Sequence, residues 1–165
     1  MSIVISNTTP LNYLILIEHV DILHDLYGCV IVPEAVVKEL QDAETPQEVR
    51  DWIASRPSWL EVRKPATPPD ESLDSLDQGE REAITLAKEL HATALIIDEQ
   101  DGREEAKRQG LRVIGTLRVL YDAAEQGFCN LQEAFDRLQK TSFHASPKLY
   151  QLFLALEEQR RQERG

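Results

Sequence analysis

The sequence is poor in sulfur, glycine, aromatic rings and positive charge. Its only cysteines are Cys29 and Cys129, far apart in a chain of 165 residues. They form no CxxC pair and join no Cys/His cluster, so neither a disulfide framework nor a zinc site is expected. No apolar run approaches the ~20 residues of a membrane span. The apolar start is cut off by polar SNTTP with no basic segment before it, so no signal peptide is expected. There is no GxGxxG, no GKS or GKT and no GxSxG. Dinucleotide cofactors, P-loop chemistry and serine acyl transfer therefore lack a motif. His19, His24, His91 and His144 are scattered, without an HExxH pair. Basic residues number 18 against 29 acidic ones, a net charge of −11. That excludes nucleic-acid binding by bulk charge and attraction to an anionic membrane, and it leaves room for divalent cations and basic partners. A soluble cytoplasmic protein is expected.

Apolar residues make up 42% of the chain, a globular composition. A chain of this length fits one domain and buries about 70% of its unfolded surface without needing a staple. Apolar runs of strand length recur at Ile3–Ile5, Cys29–Val32, Leu60–Val62, Ala94–Ile97 and Arg112–Ile114. They are short and continuous rather than alternating, as strands buried on both faces of a parallel sheet are. Helical segments lie between most of them. Thr9 and Pro10 suit a helix start, Pro33 opens a helix through Leu40, and Thr45-Pro46 opens one through Ser55. Asp77 and Glu80 have capping-box spacing before a helix through Leu90, and Asp101 with Glu104 repeats it. Lys64–Ser75, with three prolines, reads as a mobile loop. Strands alternating with helices predict an α/β fold, an α/β/α sandwich around a mostly parallel sheet.

The last third is helical over Leu117–Gln126, Leu131–Gln139 and Lys148–Arg160. The expected division is a main domain over residues 1–128 and a helical extension over 129–165 packed on it. The final helix places Leu149, Leu152, Phe153 and Leu156 on one face. A packed amphipathic helix is the expected account, with a dimer or partner face as the other.

Ligands of open α/β sheets sit at the carboxyl ends of the strands. Ile3–Ile5 is followed by Ser6, Asn7, Thr8 and Thr9, and Ala94–Ile97 by Asp98, Glu99 and Asp101. Oxygen donors at two strand ends suit a hard cation, although turn and cap chemistry accounts for Asp101. Asp98 abuts the run ALII, where a bare carboxylate is costly. On an ideal helix the apolar face of residues 83–90 centres about 50° from Glu80 and about 110° from Glu82. Glu80 thus borders the buried face and Glu82 points further toward water. Glu39 sits a turn beyond Ala35 and can also look inward. Three carboxylates and one amide could therefore converge on one or two Mg²⁺ or Mn²⁺ ions. Such ions activate water and steady the leaving oxygen of a phosphodiester.

The segments VISNTTPL, VPEAVVKEL, LDQGEREAITLAKEL and ALIIDEQDGREEAKRQGLRVIGT, in this order, resemble the PIN domain (PilT N-terminus) nucleases. The last two resemble a VapC-like prokaryotic branch of predicted nucleic-acid-binding proteins. The tail GFCNLQEAFDRLQKTSFHASPKLYQLFLALEE resembles that branch's extension. The resemblance implies a PIN-like fold and Mg²⁺- or Mn²⁺-dependent cleavage of single-stranded RNA. It also implies a toxin role with a small antitoxin partner, and a homodimer. Carried onto this chain, it implies that Asn7, Glu39, Glu80 and Asp98 are catalytic and metal-binding. Glu82, Glu99 and Asp101 become secondary ligand candidates, and Thr8 and Thr9 match the hydroxyl positions after the first acid and become candidates for RNA phosphate contacts.

Asn7 departs from most of the family, which has aspartate there, although asparagine occurs in some members of this branch. Asparagine keeps one carbonyl oxygen and loses the charge, so it ligates a hard cation more weakly. Two functions stay open: a ribonuclease, or a lapsed PIN-like module that binds nucleic acid or protein without cutting. Arg103 and Lys107, one turn apart, suit RNA phosphate contacts, or pairing with nearby acids. A phospho-acceptor regulator would need a lysine at a later strand end, where Gly115 and Thr116 stand instead.

Overall fold

Five short apolar segments pair into one parallel sheet in the computed structural model, which describes residues 2–164. They are β1 (Val4–Ser6), β2 (Val30–Pro33), β3 (Leu60–Arg63), β4 (Ala94–Ile96) and β5 (Val113–Ile114). Their order is β3-β2-β1-β4-β5, and every neighbouring pair runs parallel. Each expected strand forms, with its ends moved by no more than one residue.

Successive strand residues point to opposite faces and so feed two cores. Val4, Val30, Val32, Ala94 and Ile96 face one core. Ile5, Ile31, Leu95 and Ile97 face the other. The first is covered by α1 (Thr8–Leu16), α2 (Ile22–Tyr27), α3 (Glu34–Leu40), α4 (Gln47–Ala54), α7 (Thr116–Glu125) and α8 (Leu131–Gln139). The second is covered by α5 (Gln78–Glu89) and α6 (Gln100–Arg108). Both faces of the sheet are therefore apolar, which is why the strands read as continuous runs. The result is an α/β/α sandwich.

Caps decide where the helices nearest the sheet edge begin. Asp77 accepts the Glu80 N–H at 2.8 Å, and Glu80 accepts the Asp77 N–H at 3.4 Å, so the expected capping box of α5 forms. Two other expected starts are corrected. α1 begins at Thr8 with Asn7 as its cap, which places Thr9 and Pro10 inside the first turn. Proline is tolerated there because the first turn's N–H groups have no helical partner. α6 begins at Gln100 after Glu99, so no Asp101–Glu104 box forms. Exposed Asp101 sits instead in the first turn, where its charge complements the helix dipole. α2 was not expected; it is only six residues long and ends at Gly28, whose φ is +76°.

The proline-rich loop has anchors. Glu89 accepts the N–H groups of Ala66 and Thr67 at 3.0 and 2.8 Å. A 3-10 turn over Glu71–Leu73 buries Leu73 in the second core. The chain's last helix, α9, spans Pro147–Arg164. Leu131, Ala134, Phe135 and Leu138 of α8 and Tyr150 of α9 join the first core. The expected packed face of α9 is a correction: Leu149, Leu152 and Leu156 remain 40%, 52% and 38% exposed. The helix packs through Tyr150 and Glu157 instead, with Phe153 and Leu154 half-buried against the core. The end positions 1 and 165 of the expected subdivision lie outside the described residues. Among those residues, no helix is long and apolar enough to cross a membrane.

Candidate active site

β1 occupies the middle of the sheet; β2 and β3 extend to one side, β4 and β5 to the other. The order reverses between β1 and β4, and a crevice at such a point is where open α/β sheets bind ligands. Asn7 leaves β1 there, its N–H donated to the Ile96 carbonyl at 2.9 Å. The side chain is 2% exposed and its Oδ1 has no hydrogen-bond partner. Asp98 and Glu99 leave β4 on the opposite wall.

Glu39 reaches the crevice from the last turn of α3. Its Oε1 accepts the Gly79 N–H at 3.0 Å, and its Oε2 accepts the Thr8 hydroxyl. A Cβ at Gly79 would stand 2.6 Å from Glu39 Oε1, so any other residue there would displace the Glu39 carboxylate. Glu80, in the first turn of α5, is 6% exposed. Its Oε1 closes the capping box, while its buried Oε2 has no partner. A Cβ at Gly102 would lie 2.4 Å from that Oε2, so α6 approaches α5 through a glycine.

The two adjacent acids after β4 go separate ways. Asp98 Oδ1 accepts the Thr116 N–H at 2.8 Å and Oδ2 accepts the Thr116 hydroxyl at 2.6 Å, at the start of α7. Glu99 accepts the Thr9 hydroxyl with one oxygen, and its Oε2 is buried without a partner. Thr8 and Thr9, expected at RNA phosphate, thus hold the carboxylates of Glu39 and Glu99.

Crowding raises the acids. Burial lifts the Glu39 carboxyl above its ordinary range, with the charges of Asp77 and Glu99 adding to it. Glu80 is pushed up to about 8, first by burial, then by Asp77 and Glu99. Asp98 is raised to about 6 by burial, against the lowering bonds from Thr116 and with Glu99 raising it. Glu99 thus acts on Glu39, Glu80 and Asp98 alike. Asp77 is a member of this field that sequence reasoning treated only as a cap; its place three residues before Glu80 was the available signal.

The remaining candidates sit at the edge or away from it. Glu82 accepts the Ala35 N–H at 3.4 Å and the Gln78 amide at 3.1 Å, so it serves the start of α3. It is half-buried rather than turned to water. Arg103 donates to the Ile97 carbonyl at 2.9 Å, beside Asp98. Lys107 is exposed one turn further along α6.

Among the described residues, no three histidine, cysteine, aspartate or glutamate side chains form a ready-made metal cage. The donor chemistry nevertheless fits a hard cation. Asn7 Oδ1, Glu80 Oε2 and Glu99 Oε2 are all oxygens, all buried and all without partners. Buried polar atoms normally find one, and Mg²⁺ takes a few carboxylates and completes its shell with water.

Parallel α/β proteins with acids gathered at the switch crevice form the class to which this fold and site correspond. The chain belongs to the PIN domain family, which it matches over residues 3–159. It is also similar to a PilT N-terminus domain protein from the hyperthermophilic archaeon Sulfolobus solfataricus P2. That likeness has 22% identity, covers 88% of this chain and 100% of the other, and has a TM-score of 0.49. No curated protein matches the chain.

Proposed function

We propose that this chain is a divalent-metal-dependent endoribonuclease acting on single-stranded RNA in the cytoplasm, as a VapC-like toxin restrained by a small antitoxin. PIN domains are generally nucleases, and the carrying observation is the set of partnerless buried oxygens on Asn7, Glu80 and Glu99. Asn7, Glu80 and Glu99 would hold Mg²⁺ or Mn²⁺ through their partnerless oxygens, with Glu39 and Asp98 as further ligands through the second lone pairs of their hydrogen-bonded carboxylates. The bound ion supplies activation of water and stabilisation of the leaving oxygen. Thr8 and Thr9 orient Glu39 and Glu99 by their hydroxyls. Asp98 positions the start of α7 and adds negative charge at the rim. Arg103 and Lys107, at the rim, suit RNA phosphate. A homodimer belongs to the same proposal, supported by the exposed leucines of α9.

Asn7 favours a second function, a module that binds without cutting, because a neutral donor replaces the family's aspartate. The test is cleavage of labelled single-stranded RNA by wild type and Glu99→Gln, in Mn²⁺ and in EDTA. Metal-dependent cutting lost in the variant supports the nuclease. No cutting at any metal concentration, with both proteins folded, selects the binding module.

A further inference from the structure

A cavity of about 380 Å³ opens beside Asp98, at the carboxyl ends of β4 and β5. Its volume lies within the roughly 300–1,000 Å³ of small-ligand pockets. It is distinct from the acidic crevice, because none of Asn7, Glu39, Glu80 and Glu99 lines it. The C-terminal segment builds one wall from Phe143, His144, Leu149 and Phe153. Phe143 is held there by an edge-on contact with Tyr13, ring centres 5.1 Å apart. Gly115 keeps the floor open: a Cβ would stand 2.9 Å from Asp98 Oδ1 and 3.1 Å from Arg103 Nη1.

Two guanidinium groups also reach the cavity, on a chain of net charge −11. Arg103 and Arg118 both line it, and Asp98 is the one acid that does so among the described residues. Arg103 uses Nη1 on the Ile97 carbonyl, and Arg118 uses Nε on Asp122. The other nitrogens of both guanidinium groups make no hydrogen bond among the described residues. A planar guanidinium fork matches phosphate oxygens, and an aromatic wall matches the face of a base.

We propose that this cavity holds one nucleoside monophosphate unit of the RNA strand, its base against Phe143 and its phosphate between Arg103 and Arg118. The choice of an RNA strand as the source rests on the ribonuclease function proposed above. The C-terminal extension then contributes to substrate binding, and the strand is anchored next to the crevice through a contact that any base can make.

The test uses the full chain in EDTA, so that no cleavage intervenes. AMP and a labelled RNA hexamer, oligoadenylate, are titrated separately and followed by amide NMR and by fluorescence anisotropy. The hexamer is expected to move the amides of Gly115, Leu117, His144 and Ala145, and AMP to move the same set. Phe143→Leu, which keeps an apolar contact with Tyr13, is expected to bind the hexamer about tenfold more weakly, the loss of one base–aromatic stack. Phe143→Tyr is expected to restore affinity. Arg118→Gln is expected to lower the slope of log affinity against log salt by roughly 0.7–1.

Amides left unmoved by both the hexamer and AMP overturn the proposal. Shifts with AMP alone overturn the strand as source and leave a free-nucleotide site. Unchanged hexamer affinity in Phe143→Leu also overturns it. The two functions separate cleanly: metal-dependent cleavage without cavity binding sinks only this inference. Cavity binding without cleavage in Mn²⁺ sinks only the nuclease.

Discussion

Thr116 donates both its backbone N–H and its hydroxyl to Asp98, at 2.8 and 2.6 Å. One carboxylate thereby joins the end of β4 to the first residue of α7. Because both oxygens are already engaged, the strand-end aspartate acts first as a structural tie, and the next residue, Glu99, carries the free oxygen.

Removing that tie should cost stability. Asp98→Ala leaves the buried Thr116 donors without a carboxylate and is expected to destabilise by about 2–3 kcal/mol. Thr116→Val removes only the hydroxyl bond and is expected to cost about 1–2 kcal/mol. Urea unfolding of both variants measures this. An Asp98→Ala protein as stable as wild type would contradict the tie.

Stability should also depend on pH. The Glu80 carboxyl is raised from 4.5 to about 8, so the folded chain keeps a proton that the unfolded chain gives up between those values. Its contribution is present at low pH and is lost as pH rises from 4.5 through about 8. Asp98, raised from 3.8 to about 6, acts in the same direction over its own range. In EDTA, the melting temperature is expected to fall between about pH 5 and about pH 8, and Glu80→Gln should flatten the upper part of that fall. A divalent ion should restore stability at the high end, because it binds the deprotonated native site. A flat wild-type profile would count against the raised carboxyls.

Gly102→Ala reverses the usual expectation. Alanine in a helix normally gains about 1 kcal/mol over glycine. Here its Cβ would meet Glu80 Oε2 at 2.4 Å and Ile97 Cδ1 at 2.6 Å. Glu80 and Ile97 are both buried, so the variant is expected to lose about 1–3 kcal/mol, as overpacked sites do. It should also weaken any divalent-ion response by displacing Glu80. Thermal denaturation with and without Mn²⁺ distinguishes the two effects.

Asn7→Asp adds one more carboxylate to a crevice whose acids are already raised by burial and, less, by one another's charge. In EDTA it is expected to lower the melting temperature, since it buries a charge without a partner. In Mn²⁺ it is expected to bind the ion more tightly and to cleave RNA faster than wild type. Isothermal titration with Mn²⁺ gives the first result, and a cleavage time course the second. Unchanged metal affinity would remove Asn7 from the ligand set.

Much of the fold was legible because its signals are local. Short apolar runs marked the strands, and strand–helix alternation implied parallel pairing. Asp77 and Glu80 announced the start of α5 by spacing alone. The same pattern was wrong at Asp101, because Glu99 had already turned the chain into α6 by then. The unexpected exposure of Leu149, Leu152 and Leu156 has a different cause: a helix of mixed face shows its packing side only against its neighbours, and α9 meets α7 through Phe153 against Tyr121 and α8 through Tyr150 against Phe135.

The amino-acid sequence by itself determined the order of strands and helices, the acids after β1 and β4, and membership of the PIN domain family. Those depend on residues near one another in the chain or on patterns kept in order along it. Only the tertiary structure decided which acids meet. Asp98 and Glu99 are neighbours, but consecutive residues leaving a strand face opposite ways. α7 drew the first toward Thr116, and α1 drew the second toward Thr9. Glu82 was claimed by the start of α3, and the cavity under Phe143 exists because the last helices return across the end of β5. Each of these contacts joins segments distant in sequence, and long-range packing rather than local propensity sets their geometry.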